Sequence, residues 1–512
     1  MNNPSKETVV TQDTIAHVEN STDGLPGMAK SATAYTLQES PRRMRKTGLE
    51  RRLLWKQDLV LVPLLALVYF VTFLDRNSFG NGKLLGLTTE LHMTDDQYSN
   101  AAQLFFVGYT VFMLPGNVFL RTVPPNYLIG VSIVVFGTIL CGMSAAQSYG
   151  AVLATRILIG AAQAMVQGTG LYASLWYKRN EAATRGAIYF STATLSGAFS
   201  GLIAYAIGRN LTEATTGRAP WRWLFIIEGV IGIAVGLTII TLLPAFPDRM
   251  RKGYNWLFTK EEMDLAVRRA SSYNTTHATL SWRQVVVALR DPKVWMFACI
   301  NAGLGNCNST VGVFLPTFVN SFGFSTVDAQ LFSAIPYSAA FVVLPTLAFI
   351  SDRVNRKGPF VAFSTSLAAI GYILLLTVSS KATKVLAVVF LVVGGYSAVL
   401  LSTTWLGINS GGFTKRATTW AIAEMLSNIF SIVGTNVYKP VHGSYARGNW
   451  VSLALLLFSL LNSLALIAYY TYANHKRDRI LTEYEARGET HPHTHLTLED
   501  VQDNHINFRY VI

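Results

Sequence analysis

Residues 384–407 read KVLAVVFLVVGGYSAVLLSTTWLG, and the only charged side chain in this run is the first lysine. An α-helix needs about 20 mostly apolar residues to cross the ~30 Å hydrocarbon core of a bilayer. Eleven more segments of this kind occur along the chain, at roughly 57–78, 98–120, 127–147, 149–173, 184–208, 221–243, 293–319, 328–350, 358–378, 416–438 and 449–474. The sequence therefore predicts an all-α membrane protein with twelve transmembrane helices.

The composition supports this prediction and excludes other classes of protein. Only 14% of the 512 residues are charged, against about 25% in soluble globular proteins. The formal net charge is +13, but Lys and Arg fall in short clusters between apolar segments, whereas nucleic-acid binding requires them on one face. The sequence has no Gly-rich phosphate loop after a strand, no nucleophile elbow and no metal-ligand spacing in an ordered segment. We therefore expect the lipid bilayer as a partner, and no nucleic acid, enzyme activity, cofactor or metal.

A hydrophilic segment, residues 244–292, separates the first six apolar segments from the last six. The predicted division is a disordered cytoplasmic N-terminal tail (1–50), a six-helix bundle (51–243), a cytoplasmic central loop (244–292), a second six-helix bundle (293–474) and a cytoplasmic C-terminal tail (475–512). The charge pattern at 260–269 predicts a short amphipathic surface helix within the loop, and we expect residues 480–512 to be disordered. Two six-helix pseudo-repeats around a central cavity resemble the major facilitator fold.

Basic residues predict the orientation in the membrane. They concentrate on one side of the predicted helices, at 42–56, 178–185, in the central loop, and at 353–357, 415–416 and 476–479. Because cytoplasmic loops carry an excess of Lys and Arg, both termini are expected in the cytoplasm, with the protein in the cell membrane. Asn210, in the sequon Asn210-Leu-Thr212, then lies outside and is a predicted glycosylation site.

The loop between the eighth and ninth segments, residues 348–357, reads AFISDRVNRK. It resembles the major facilitator signature G-x-x-x-D-R-x-G-R-[RK], with alanine and asparagine in place of its two glycines. A carboxylate at a helix end that pairs with arginines can latch one face of a cavity and release it during transport. We therefore predict that Asp352, Arg353 and Arg356 take part in gating; the alternative is that they only anchor the topology. The equivalent loop in the first half, residues 115–121, has no acidic residue.

Charged side chains inside the apolar segments are a strong functional signal, since each is costly unless it is paired or lines water. Arg156 lies about a third of the way into the fourth segment, while Asp75 and Arg76 lie near the outer end of the first. Counted by depth, Asp75 and Arg156 could meet, either in a proton-coupled anion site or as a structural ion pair. Glu228 and Glu424 also lie within segments, and each could relay protons or satisfy a neighbouring polar group.

These residues belong to a longer series of motifs. In chain order the series comprises Leu74-Asp75-Arg76-Asn77, Arg156–Gly160, Trp176-Tyr177 through Glu181 to Arg185, Trp221–Gly229, Ser351-Asp352-Arg353, Trp405–Gly412, Thr414-Lys415-Arg416 and Asn507-Phe508-Arg509-Tyr510. Over roughly residues 50–512 it resembles the fungal allantoate permease family, within the anion:cation symporters of the major facilitator superfamily. The motifs Val313–Pro316 and Phe322–Phe324 are most similar to its nicotinate permease branch.

The resemblance implies a transporter of small organic anions, usually together with protons. It implies that Arg76 and Arg156 face the substrate carboxylate. It also assigns three residues to the cytoplasmic gate, namely Asn409, Lys415 and Arg416.

The fourth segment departs from the family pattern, which has a glutamate where this chain has Gln163. Because an amide cannot titrate, either Asp75, Glu228 or Glu424 couples protons instead, or coupling is not tight. Further polar side chains are predicted either to line a more hydrogen-bonding substrate cavity or only to join helices, and those are Gln163, Gln167, Asn306 and Tyr337.

The sequence thus predicts proton-coupled uptake of a small organic anion, nicotinate-like or another carboxylate, by alternating access in a monomer. The alternative is efflux of a metabolite, for example of a secondary-metabolite pathway, which the altered fourth segment would suit. A non-transporting receptor on the same fold is disfavoured because such sensors carry long signalling tails.

Overall fold

The computed structural model describes residues 48–177, 179–246, 257–273, 282–411, 413–438, 445–489, 491–495 and 501–512. In this part of the chain every regular element is a helix. The long helices are α1 (Gly48–Leu84), α2 (Asp95–Thr122), α3 (Pro125–Met143), α4 (Tyr149–Ala164), α5 (Arg179–Asn210), α6 (Pro220–Leu242), α7 (Pro292–Ser321), α8 (Thr326–Val354), α9 (Gly358–Thr377), α10 (Lys381–Asn409), α11 (Phe413–Val437) and α12 (Ala446–Ala486). Helix α4 continues through a 3₁₀ turn, Met165–Gly168, into Thr169–Trp176.

Local sequence signals fix where these helices begin. The Thr94 hydroxyl accepts a hydrogen bond from the Gln97 backbone while the Gln97 side chain accepts one from the Thr94 backbone, which is a capping box for α2. Ser148 and Ser325 cap α4 and α8 in the simpler way, each with one side-chain bond. Proline occupies the first turn of α3, α6 and α7, where no backbone donor is lost.

Among the described residues, nine helices are long and apolar enough to cross a membrane. The other three long helices, α2, α7 and α11, contain more polar residues. All three also contact the opposite half of the molecule, so part of their surface faces protein instead of lipid. With these three, the long helices number twelve in the described residues, and the predicted twelve-helix fold is confirmed.

The two halves repeat the same helix pairings. In the first half α1 packs on α5, α2 on α4 and α3 on α6; in the second half α7 packs on α11, α8 on α10 and α9 on α12. Glycines allow the closest of these contacts, because a Cβ on Gly137 of α3 would lie 2.8 Å from the Gly229 carbonyl oxygen of α6. Small residues at a crossing are the usual way for membrane helices to approach each other.

The two bundles meet most closely at one end of the molecule, which we name the far face. It holds the α1–α2, α5–α6 and α7–α8 connections, whereas the near face holds the α6–α7 and α8–α9 connections and residues 501–512. Towards the far face, a Cβ on Gly80 of α1 would collide with the Val313 carbonyl oxygen of α7, and one on Gly201 of α5 would lie 2.6 Å from the Gln330 carbonyl oxygen of α8. The far face is therefore closed in this structure.

The segment between the bundles contains the predicted amphipathic helix, which spans Lys260–Tyr273. Its Glu262 is buried and forms an ion pair of 2.6 Å with Lys56 at the start of α1, while Asp264 is exposed. The helix is thereby joined to the first bundle. The prediction of a surface helix at this position is confirmed.

The prediction of a disordered C-terminal tail is wrong for the described part of it. Helix α12 extends to Ala486, well beyond its apolar core, and residues 501–512 pack against the near face. The predicted N-terminal tail lies outside the described residues, apart from 48–50, which already belong to α1.

Candidate functional site

A chain of four polar side chains joins α1 to α4 inside the first bundle. Arg156 Nη1 donates to Asp75 Oδ1 at 3.4 Å, Gln163 Nε2 donates to Asp75 Oδ2 at 3.0 Å, and Arg76 Nε donates to Gln163 Oε1 at 3.3 Å. The sequence prediction that Asp75 and Arg156 meet is thus confirmed. The amide of Gln163 lies between Asp75 and Arg76, where it is donor to one and acceptor from the other.

Aromatic rings from α1 and α2 enclose both guanidinium groups. The Arg156 guanidinium carbon lies 4.2 Å from the ring centroid of Phe79 and 4.8 Å from that of Phe105. The Arg76 guanidinium carbon lies 4.7 Å from the ring centroid of Tyr109. Cation–π contacts of this kind stabilise a desolvated cation, so each arginine keeps a favourable environment without a full set of carboxylates.

Gly160 allows α4 to approach α2 closely enough for these contacts. A Cβ at this position would collide with the Phe105 carbonyl oxygen, and a Cβ on Gly108 of α2 would collide with the Ile157 carbonyl oxygen of α4. The predicted close approach of a neighbouring helix at Gly160 is confirmed.

The two arginines differ in their exposure to solvent. The side chains of Arg156 and Asp75 are only 2% and 1% exposed, and Gln163 is equally buried, whereas Arg76 is partly exposed. One aspartate balances one of the two arginines, so the four-residue chain carries a net charge of one positive unit when all its groups are ionised. Arg76 is the member of the chain that an incoming anion can reach.

Glu424 of α11 faces this site from the second bundle. It is partly exposed and lies within electrostatic range of Arg76. The Tyr109 hydroxyl donates to Gln167 Oε1 on α4. The site therefore has a cationic wall on the first bundle and a carboxyl group on the second.

Aromatic side chains continue the site along α1, α5 and α10, and we name Tyr69, Phe73, Tyr189, Phe190 and Tyr396 the aromatic wall. Within it the Tyr69 and Tyr189 centroids are 5.1 Å apart, those of Phe73 and Phe190 are 6.1 Å apart, and those of Phe73 and Tyr396 are 6.4 Å apart across the two bundles. The Arg76 guanidinium carbon lies 4.9 Å from the Phe73 centroid. Sequence analysis missed this wall, although Tyr69, Phe73 and Arg76 follow helical spacing on one face of α1.

The Major Facilitator Superfamily family model matches residues 65–435 of the chain. The chain belongs to this superfamily. It is 32% identical over 445 residues to the MFS transporter prlL of Fungal sp. (strain NRRL 50135), covering 84% of this chain and 88% of that protein. It is 29% identical over 472 residues to the high-affinity nicotinic acid transporter of Saccharomyces cerevisiae, covering 90% of this chain and 85% of that protein. These relatives agree with the expected nicotinate permease-like branch.

Solved structures agree on the fold of this major facilitator. A D-xylose-proton symporter superposes with a TM-score of 0.61 at 13% identity, covering 80% of this chain and 97% of the other. A bacterial homologue of the human lysosomal transporter Spinster, in an inward-facing and unoccupied conformation, gives a TM-score of 0.60 at 15% identity, covering 80% and 97%. The family match and the transporter relatives show the role, so the chain is a multi-pass membrane transporter, and the expectation that it is not an enzyme is confirmed.

Two of the predicted substrate-binding residues of this major facilitator are buried, although the Tyr337 ring centroid lies 6.0 Å from that of Tyr396 in the aromatic wall. Asn306 is fully buried inside the second bundle, where its amide donates to the Phe430 carbonyl at 3.4 Å and accepts from Ser452 at 2.8 Å. Tyr337 is 2% exposed, and its hydroxyl donates to Asn77 Oδ1 at 2.9 Å, across the two bundles towards the far face. Asn306 therefore joins helices within the second bundle, and Tyr337 belongs to the closed contact between the two bundles.

Glu228, like Asp75, is buried inside the first bundle, whereas Glu424 is partly exposed. Glu228 is 3% exposed and receives a hydrogen bond from Ser78, which also contacts Ser200 at 2.8 Å. Among the described residues, its second carboxyl oxygen has no hydrogen-bond partner. Burial separates Glu228 from the solvent-accessible site that Arg76 and Glu424 share.

The signature loop between α8 and α9 is arranged differently from the predicted latch. Asp352 pairs with Lys357 of the same loop and accepts from the Thr184 hydroxyl of the first bundle at 3.4 Å, while Arg353 and Arg356 are exposed. The gating role of these residues stays a prediction. Asparagine replaces the signature glycine at 355, with a φ of 55°, in the left-handed region that asparagine tolerates better than most residues.

The residues assigned to the cytoplasmic gate contact the C-terminal segment or their own loop. Asn409 binds the Val511 backbone, Lys415 forms ion pairs with Asp291 and Asp503, and Arg416 donates to the Ser410 carbonyl at 3.3 Å.

The sequon residue Asn210 is the last residue of α5 and is exposed at the far face. Its glycosylation stays a prediction.

Proposed function

We propose that this transporter carries a small carboxylate into the cell together with a proton, across the cell membrane and by alternating access. The observation that supports this most directly is the partly exposed Arg76 in a polar chain with one uncompensated positive charge. A monocarboxylate bound there would replace water around the guanidinium and give it a directly bound counter-charge. Arginine and carboxylate match in geometry because two parallel hydrogen bonds can form between them.

The aromatic wall favours a flat substrate, such as an aromatic or heteroaromatic acid. Its rings begin at Phe73, directly beside Arg76, so an acid held by its carboxylate would place its body against them. Aromatic pairs contribute about 0.5–1.5 kcal/mol beyond the burial of their area, which is enough to select a planar acid over an aliphatic one of similar size. The nicotinic acid transporter among the relatives is consistent with this class.

Glu424 supplies a reason for coupling to protons. While the site is empty, its carboxylate and the Arg76 guanidinium attract each other across the cavity. When a carboxylate occupies Arg76, an ionised Glu424 would face a second negative charge in a space of low dielectric constant. Binding of a proton to Glu424 removes that repulsion, so anion and proton favour each other's binding.

The closed far face fits one end of such a cycle. Arg76 lies in the half of α1 nearer the far face and Glu424 in the middle of α11, and both are partly exposed. Access from the far face is blocked at Gly80 and Gly201. The site therefore opens towards the near face. With the orientation proposed from the basic residues, the near face is cytoplasmic, and this structure represents the inward-facing state.

Uptake of radiolabelled nicotinate and of unlabelled competitors by cells that express the protein tests the proposal. Accumulation above the outside concentration, its loss with an uncoupler, and stronger competition by aromatic than by aliphatic acids are expected. Glu424→Gln is expected to keep exchange of substrate but to lose accumulation, with Asn428→Asp, one helical turn away, as a matched control. If neither nicotinate nor any of the competing acids is taken up, or if Arg76→Ala transports the substrate normally, the proposal is wrong.

Efflux of an acidic metabolite is the second candidate function. It is favoured by Gln163, because an amide in place of the usual acid weakens one route for protons to drive uptake. Inside-out vesicles separate the two hypotheses. When the vesicle interior is made acidic, an exporter accumulates the substrate inside the vesicles, and an importer does not.

A further inference from the structure

The near face of the second bundle holds residues 503–511 in a groove. At one end of the groove, Asp503 forms ion pairs with Lys293 of α7 and Lys415 of α11. Lys415 also pairs with Asp291 at 2.6 Å. The side chains of Asp503 and Lys415 are only 2% and 3% exposed, so these charges are almost completely removed from water.

Tyr510 fills the middle of the groove. Its ring stacks on Tyr470 of α12 with a centroid distance of 4.3 Å and an interplanar angle of 12°, and its hydroxyl accepts from Lys293 at 2.8 Å. Asn474 of α12 binds the backbone of Tyr510 twice, accepting from its N–H at 3.0 Å and donating to its carbonyl at 2.9 Å.

The next residue is held in the same way from α10. Asn409 accepts from the Val511 N–H at 2.8 Å and donates to the Val511 carbonyl at 2.8 Å, and the Trp405 indole donates to that carbonyl at 2.7 Å. Two asparagines that each bind both backbone groups of one residue are a device for holding an extended peptide. The bonds depend on the backbone of the segment, while the two lysines and Tyr470 recognise its side chains.

Without the segment, the groove would be poorly satisfied. Lys293 and Lys415 would share one carboxylate, Asp291, and the amides of the buried Asn409 and the partly exposed Asn474 would lose partners, which is costly for groups removed from water. A cavity of about 10 Å³ remains beside the four charges, enough for one water molecule. The groove is therefore shaped to this peptide and has no space for a second ligand.

We propose that the near ends of α7, α10, α11 and α12 form a peptide-binding site for a segment with an aspartate and, seven residues later, a tyrosine, and that residues 503–511 of the same chain are its ligand. The docked segment connects four helices of the second bundle at the end that must move as one body during alternating access. The site is separate from the substrate site and does not depend on which substrate is carried.

Cysteine labelling in the full chain tests docking. Ile506 is 5% exposed and Asn507 is exposed, so a maleimide should label Ile506→Cys slowly and the control Asn507→Cys quickly. Adding Asp503→Lys, which sets a third cation beside the two lysines, should raise the labelling rate of Ile506→Cys at least about tenfold. Adding Glu485→Lys, a change of an exposed glutamate on α12, should leave that rate within about twofold. Equal labelling with and without Asp503→Lys would overturn the proposal.

Peptide binding in trans tests the groove itself and does not need the labelling variants. A fluorescent synthetic peptide of residues 501–512 should bind saturably to the full-length Asp503→Lys protein, whose groove is vacated, and not to the unaltered protein. Replacing aspartate by asparagine in the peptide should weaken binding about tenfold or more, because a hydrogen-bonded charge pair is lost. Absence of saturable binding, or equal affinity of the two peptides, would contradict the assignment.

Discussion

Gln163→Glu places a second carboxylate beside Asp75. In the structure Gln163 Nε2 donates to Asp75 Oδ2 at 3.0 Å, and the substitution replaces this donor by an oxygen. The other side-chain oxygen would still accept from Arg76, now as part of an anion that competes with the substrate carboxylate. The exchange changes one heavy atom and adds no volume, so the helix packing at Gly160 should be unaffected.

The size of the effect follows from this geometry. Two unit charges 3 Å apart repel each other by about 5 kcal/mol at an effective dielectric constant of about 20. Since about 1.4 kcal/mol corresponds to a tenfold change in an equilibrium, the two carboxylates cannot both be ionised in most molecules. One of the two carboxyl groups therefore binds a proton. The fraction of molecules that hold this proton depends on pH, and the parent protein lacks this dependence because Gln163 cannot titrate.

Initial uptake rates at pH 5.5 and 7.5 measure the consequence. We expect the ratio of the two rates to be at least about tenfold larger for Gln163→Glu than for the parent protein, because deprotonation at higher pH repels the substrate anion. Gln167→Glu is the matched control, since that side chain lies one turn away and accepts from Tyr109. A ratio equal to that of the parent protein would refute the charge argument for the site.

Three further predictions concern stability as well as transport. Arg156→Ala should abolish uptake and lower the free energy of unfolding by about 3–5 kcal/mol, because it leaves a buried aspartate without its cation. Arg76→Ala should also abolish uptake, but its thermal unfolding midpoint in detergent should shift much less than that of Arg156→Ala. Gly160→Ala should lower that midpoint because its methyl group collides with the α2 backbone, whereas Gly150→Ala, which has open space, should not. Burial raises the pKa of Asp503, but its two lysine partners lower it further, so its pKa lies below the ordinary value of about 3.9. Docking of the segment is then fully stabilised above that value and lost only as pH falls through the lower folded-state pKa. The labelling rate of Ile506→Cys divided by that of Asn507→Cys at the same pH should therefore stay constant from pH 8 to pH 5.

The fold could be predicted because its signal is local. Each apolar run predicts one helix, and the basic loops between the runs predict the orientation in the membrane without knowledge of the tertiary structure. Helix ends were predicted less well: α1 begins at Gly48 and α12 ends at Ala486, beyond the apolar runs at 57–78 and 449–474. These extensions leave the hydrocarbon and are stabilised by contacts such as Lys56 with Glu262, which hydropathy does not reveal.

The site could be predicted only where counting along helices was enough. Counting residues along α1 and α4 predicted that Asp75 and Arg156 lie at the same depth, because both helices cross the same membrane with a known rise per residue. Glu424 faces Arg76, and Phe73 contacts Tyr396, across the two bundles, so the placement of these residues depends on how the bundles pack. Asn306 could not be placed for a different reason: amides that line a cavity and amides that join helices look alike in a sequence.

The charges of the proposed site lead to a statement about stoichiometry. Empty, the two arginines are balanced by Asp75 and by Glu424, so the group as a whole is neutral. Loaded with a monocarboxylate, it stays neutral only if one proton binds, and Glu424 is the partly exposed acid positioned to take it. Both forms that cross the membrane would then carry the same net charge. The replacement of an acid by Gln163 is part of this balance, since a carboxylate there would leave the empty site one negative charge in excess and weaken its hold on an anion.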